Sequence, residues 1–263
     1  MTIRRALIAA LLALAATAAH AQDSPALYQA TAIVTGTDMR QRPLGFALCL
    51  KEVLVKVSGA PALADNPAVA SLAERADTLV ASFDYVDPRA WFLHHDDQGT
   101  YDRSYELTVR FDPAKIDAAL ATLGAPPWRG PRPLLTPVIL IRRDEAPYLL
   151  SSQNPRGATM RETIIRLAGE YGVGVHFPTD EDLAAWGVSL IGTPEPLGPP
   201  DPTQLRITGS LNWSVRALGW VGTWHVHTAD GDHAWEISGV GFDEAFANMV
   251  RGAVMLAHGT GTP

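Results

Sequence analysis

Residues Gly222–Gly239 read GTWHVHTADGDHAWEISG, and the way this stretch folds back on itself decides the architecture of the second half of the chain. Apolar and polar residues alternate on both sides of Asp230-Gly231, the pattern of two strands that each bury one face. Asp-Gly between such runs is the strongest short signal for a two-residue primed turn. With Asp230 and Gly231 at the bend, Trp224 opposes Ile237, Val226 opposes Trp235 and Thr228 opposes His233, which predicts one largely apolar face. The other face pairs His225 with Glu236 and His227 with Ala234.

Two imidazoles and a carboxylate on one face raise the question of a metal site. The sequence offers no fourth ligand and no HExxH-type spacing, and any amphipathic hairpin presents the same pattern to water. The expectation is a solvated or partner-facing surface, with no metal and no cofactor. Asn212, Thr223, His225, His227 and Glu236 are its candidate contact residues. The alternative is a metal-dependent enzyme or metal-handling protein using His225, His227 and Glu236.

Outward from the hairpin, Leu205, Ile207, Leu211 and Trp213 alternate with Arg206, Thr208, Ser210 and Asn212, the first strand of a three-strand meander. Trp213, Trp220, Trp224 and Trp235 all fall on this meander and are read as core; the competing reading is a rim for a peptide or glycan. Asp243 is expected to cap a last helix carrying Phe246, Met249, Val250, Ala253 and Leu256 inward, with Gly259 as its stop. Upstream, PVILIRR is an apolar strand covered on both faces, Asn154-Pro155 starts a helix, VGVHF is a second buried strand parallel to the first, and Thr179 with Asp182 caps a short helix. His176, in that second strand, is expected to be a hydrogen-bonded core histidine. The order is β-α-β-α-β-β-β-α with a mixed sheet.

GAPPWRGPRPLLTP, residues 124–137, has too many positions without a backbone donor for a helix or central strand and reads as a linker. A second proline run, residues 193–202, is a loop. Before the linker, ALYQATAIV is a strand, PLGFALCLKEVLVKV a helix ended by Gly59, and Asn66-Pro67 a capped shorter helix. Strands near Thr78–Val86 and over Tyr101–Phe111 follow, then a helix capped by Asp112. The fold class is therefore α+β, two small α/β-layer domains over 22–123 and 138–259 with a tail at 260–263.

The first 21 residues carry Arg4 and Arg5, an apolar Ala/Leu run and Ala19-His20-Ala21, the pattern of a secretory signal peptide cleaved after Ala21. Its apolar run is shorter than the roughly 20 residues of a membrane span. Loss of Arg4 and Arg5 takes the formal charge from -7 to about -9, which argues against a nucleic-acid partner. The single cysteine, Cys49, lies on the apolar stripe of a helix and has no internal disulfide partner. GxSxG and phosphate-loop motifs are absent, and the acids Asp180–Asp182 are ordinary first-turn helix residues. His94-His95-Asp96-Asp97 is read as a solvated hairpin tip.

KEVLVKVSG (Lys51–Gly59), LTVRFDP (Leu107–Pro113) and PWRGPRP (Pro127–Pro133) resemble the DUF2066-type family of uncharacterised Gram-negative exported proteins, with looser similarity at ITGSL and at Trp220 and Trp224. The resemblance implies a periplasmic location and adds no catalytic residues. At fold level the second domain is similar to small α/β domains of envelope partner proteins, an analogy that does not fix function. The expectation is a non-enzymatic binding or accessory protein whose partner is an envelope protein or cell-wall component; the pattern selects no oligomeric state.

Overall fold

The computed structural model describes residues 25–91, 103–143, 146–191, 194, 203–261 and 263. The chain is an α+β protein that divides into two compact units, the first of Met1–Ser58 with Ala62–Gly130, the second of Gly59–Pro61 with Pro131–Pro263. The leader residues and the His94–Asp97 run lie outside the described residues, as does the 193–202 loop apart from Pro194.

Unit 1 runs β1 (Gln29–Thr35), α1 (Arg42–Ser58), α2 (Pro67–Ala73), β2 (Val80–Val86), β3 (Ser104–Phe111) and α3 (Pro113–Thr122). Its antiparallel sheet has the order β1-β3-β2. Period-two alternation turns Leu107, Val109 and Phe111 of β3 to the same side, where they are buried. Against this sheet α1 packs a stripe of Phe46, Leu50, Val53, Leu54 and Val57, all buried. Gly45 allows the close approach, since a Cβ there would collide with Leu107 and Val34. Gly59, at φ +66°, ends the helix as expected. Asn66 accepts from Ala68 N at 2.9 Å and Asp112 from Ala114 N at 2.9 Å, so both predicted caps form. Trp128 is buried, and its backbone N–H donates to Val57 O at 2.9 Å.

Unit 2 runs β4 (Leu134–Arg142), β5 (Tyr148–Leu149), α4 (Ala158–Gly169), α5 (Asp180–Ala185), β6 (Gln204–Ser214), β7 (Gly219–Thr228), β8 (Gly231–Val240) and α6 (Phe242–His258). Its sheet has the order β5-β4-β6-β7-β8, with β4 parallel to β6 and the other pairs antiparallel. Helix α6 lies on β6, β7 and β8 and packs against α4. Between helices and sheet the core gathers Ile139, Ile207, Trp224, Ile164, Phe246, Met249 and Val250.

Several expectations are corrected. The proline segment does not extend to Pro137, because β4 begins at Leu134 and contains Pro137. Leu135 and Ile139 bond outward, away from β6, to Gly174, His176 and Leu150, so Pro137 faces that same margin in a gap where no donor is needed. VGVHF is not a buried strand. Only Val175 bridges Leu135, in the parallel sense expected, while β5, which was not foreseen, takes the margin farther along β4. His176 is accordingly exposed, engaged through its backbone N–H to Leu135 O at 2.8 Å, and is not a core histidine. Asn154-Pro155 opens a single 3-10 turn before α4 rather than α4 itself. Asp243 stands one residue inside α6, whose cap is Gly241; its carboxylate accepts from Thr163 Oγ1 at 3.3 Å. The Thr179–Asp182 capping box forms, and Gly259 stops α6 at φ +72°.

The hairpin closes with Thr228 opposite Gly231, so the central residues are Ala229 and Asp230, not Asp230 and Gly231. A primed turn of type I′ needs positive φ at both central positions. Among the described residues only Leu218 is a non-glycine with positive φ, whereas Gly231 takes φ +132° just after the bend. Thr228 Oγ1 accepts from Asp230 N at 3.3 Å and so holds this alternative turn. From Val221 to Thr228 each cross-strand partner moves by two residues. Faces are therefore preserved, but neighbours change.

Gly209 pairs with Trp224, and a Cβ there would strike the carbonyl of Thr223 and the indole edge. Neither backbone nor buried ring has room to yield. Gly209→Ala is expected to lower unfolding free energy by about 3 kcal/mol, read as a fall in urea midpoint at unchanged m-value.

Candidate functional site

The sheet of unit 2 has one face under α6 and one face of different chemistry. On the second face the register aligns Thr208 with His225 and Ala234, Ser210 with Thr223 and Glu236, and places Arg142 beside Asn212. All five predicted contact residues, Asn212, Thr223, His225, His227 and Glu236, belong to it. Glu236 is exposed and the other four are half-buried. The expected partition of tryptophans holds at its centre: Trp224 and Trp220 are buried on the helix side, with Trp224 Nε1 donating to Asn248 Oδ1 at 3.2 Å. Trp235 is half-buried and Trp213 is 44% exposed, so the row is not uniformly core.

Hydrogen bonds cross the strands in a line. Arg142 Nη1 donates to Asn212 Oδ1 at 3.2 Å, Asn212 Nδ2 to Ser210 Oγ at 2.9 Å, and Ser210 Oγ meets Thr223 Oγ1 at 3.0 Å. Ser210 is 1% exposed and finds its partners sideways along the sheet. Because they are an amide and a hydroxyl rather than an imidazole or carboxylate, nothing draws off its proton, and the arrangement is not that of an activated nucleophile. Its chemistry is a fixed display of donors and acceptors.

The two-residue change of partner breaks the predicted His225–Glu236 pair. His225 opposes Ala234, Glu236 opposes Thr223, and His227 opposes Asp232, with Nδ1 to Oδ1 at 2.6 Å. Asp232 is not among the predicted site residues, because a bend at Asp230-Gly231 sets it opposite Ala229 rather than His227. Among the described residues no three His, Cys, Asp or Glu side chains gather as a metal-ligand group.

Sequence reasoning missed a cleft in unit 1, about 370 Å³, lined by Met39, Arg42, Phe46, Glu74, Asp77 and Phe83. Its aromatic floor comes from Phe46 and Phe83, centroids 5.2 Å apart, with the Arg42 guanidinium 4.7 Å above the Phe83 ring. The signal lay in the alternation of Phe83 and Tyr85 on β2, but their meeting with the first turn of α1 is a long-range contact that no local pattern announces.

Cys49 is 1% exposed, and burial, the largest cause, pushes its thiol pKa up to about 12. A thiol so placed carries roughly a thousandth of the thiolate of an ordinary one at a given pH. Thiol-specific reagent at pH 8 is expected to leave the folded protein unmodified and to label one equivalent once guanidinium unfolds it; labelling of both at similar rates overturns the assignment.

Among the comparisons with known proteins, a family model described as a domain of unknown function (DUF8605) matches residues 21–129. No curated protein and no solved structure matches the chain.

Proposed function

We propose that the protein is an exported, non-enzymatic binding or accessory component of the cell envelope, and that it contacts an envelope protein or cell-wall partner through the open face of β7 and β8. The reading extends the DUF2066-type resemblance, while the family model that matches covers the first unit under another designation and names no activity. The observation that carries it is the hydrogen-bonded line Arg142–Asn212–Ser210–Thr223, whose last member stands opposite exposed Glu236 on the edge strand. Side chains already held by such bonds lose little freedom on binding, and that loss is a main cost of association. Polar groups at partial exposure also suit the rim of a non-obligate interface. Among the described residues no helix is long and apolar enough to cross a membrane.

A photo-crosslinking amino acid at position 223 or 236 is expected to trap one discrete partner in envelope extracts, whereas the same group at Ser71 in unit 1 traps none. Thr223→Lys with Glu236→Lys should cut recovery about tenfold, as for loss of two interface contacts. Equal background adducts at all three positions sink the reading. If the leader is processed as proposed, protein recovered from the periplasm begins at Gln22 by N-terminal sequencing.

A further inference from the structure

The turn joining β6 to β7 gathers exposed apolar side chains at one end of the sheet. Val215 is 79% exposed, Leu218 83% and Trp213, on its shoulder, 44%. Leu218 also stands at φ +54°, a conformation that glycine or asparagine ordinarily fills and that crowds a branched side chain. The turn is nonetheless ordered by its own bonds, Ala217 N to Ser214 Oγ at 3.2 Å and Leu218 N to Val215 O at 3.3 Å. A strained backbone thus projects two aliphatic side chains into solvent.

Two arginines stand near this tip. The Arg143 guanidinium lies 5.9 Å from the ring centres of both Trp213 and Trp220, which meet edge to face at 5.7 Å. Arg216 is exposed within the turn. No carboxylate among the described residues pairs with Arg143 or Arg216. The register brings Tyr148 to the same end of the sheet, opposite Ile141, with Arg156 stacked over its ring at 4.3 Å. Arg143 and Arg216 are the two cations that the described geometry sets beside the exposed apolar side chains of the tip.

Size decides between partners. A stable protein interface takes about 800 Å² from each side, an area of roughly 20–30 residues, whereas this turn has four, Val215–Leu218. A lipid surface asks less: aliphatic side chains at the tip enter the acyl boundary, an indole sits at headgroup level, and arginines meet anionic phosphates. We propose that the β6–β7 turn is an interfacial anchor, inserting Val215 and Leu218 into an anionic lipid bilayer with Trp213 at its surface and Arg143 and Arg216 on the headgroups. This surface is separate from the polar face argued above, and neither reading requires the other.

Co-sedimentation of the purified full chain with vesicles of equimolar phosphatidylglycerol and phosphatidylcholine tests it, against vesicles of phosphatidylcholine alone. Binding is expected to the anionic vesicles and to fall with salt. V215S/L218G should lower partitioning on the order of tenfold, while the glycine relieves the strained φ, so that an unchanged or higher melting temperature shows the fold intact. R143Q/R216Q should bring anionic binding down to the level seen with phosphatidylcholine. The proposal is overturned if the parent chain shows no preference for anionic vesicles, or if V215S/L218G binds as well as the parent. A dimer that V215S/L218G dissociates, with no vesicle binding by the parent, would assign the tip to a second copy and equally overturn it.

Discussion

The second unit depends on Trp224 lying flat in a slot that only glycine permits. Gly209 across the β6–β7 ladder and Gly222 two residues back on β7 both leave room that a Cβ would take from the ring. The indole is wholly buried, rests near Phe246 at 6.2 Å between centroids, and gives its N–H to Asn248 on α6. A large side chain held this way fixes which side of β6, β7 and β8 is the inside. Trp235 repeats the arrangement on a smaller scale, with Gly252 of α6 set against its ring.

That constraint explains why the faces of the meander were legible from sequence although the bend was not. Face assignment needs only the parity of each residue, and moving the bend from Asp230-Gly231 to Ala229-Asp230 changes every partner from Val221 to Thr228 by two positions. Parity survives such a change. Neighbour chemistry does not: a proposed imidazole–carboxylate pair at His225 and Glu236 became a threonine opposite Glu236 and an alanine opposite His225. The missed element β5 and the reduction of VGVHF to one bridge have a related cause, since the two divide one margin of β4, Val175 at Leu135 and β5 at Leu140–Ile141, by a path of the chain that no local pattern announces. Helix caps were read with more success because a cap is local chemistry, complete within four residues, as Asn66, Asp112 and Thr179 illustrate.

The cleft of unit 1 shows the opposite case. Arg42, Phe46, Glu74, Asp77 and Phe83 come from α1, the end of α2, the turn after it and β2, and their assembly follows from α1 packing across the sheet. Local pattern placed Phe46 in a helix and Phe83 in a strand, and nothing in it joined either to Arg42, Glu74 or Asp77. The matching family model spans residues 21–129 and so includes all of them.

Buried hydroxyls also occur on the face of the sheet opposite to the one that seats Trp224. On strand β6, third in the five-stranded sheet, Thr208 and Ser210 are 1% exposed although they point away from α6. A buried hydroxyl without a partner costs free energy comparable to a lost hydrogen bond, and here no helix offers one. Ser210 therefore turns along the sheet to Thr223 and Asn212, and Thr208 donates to the His225 carbonyl at 3.5 Å. These lateral bonds are what extend order from the core to half-exposed Asn212 and Thr223. The stiffness of the polar face is thus a consequence of satisfying interior groups, and a partner meeting that face would encounter side chains whose positions the core has already settled.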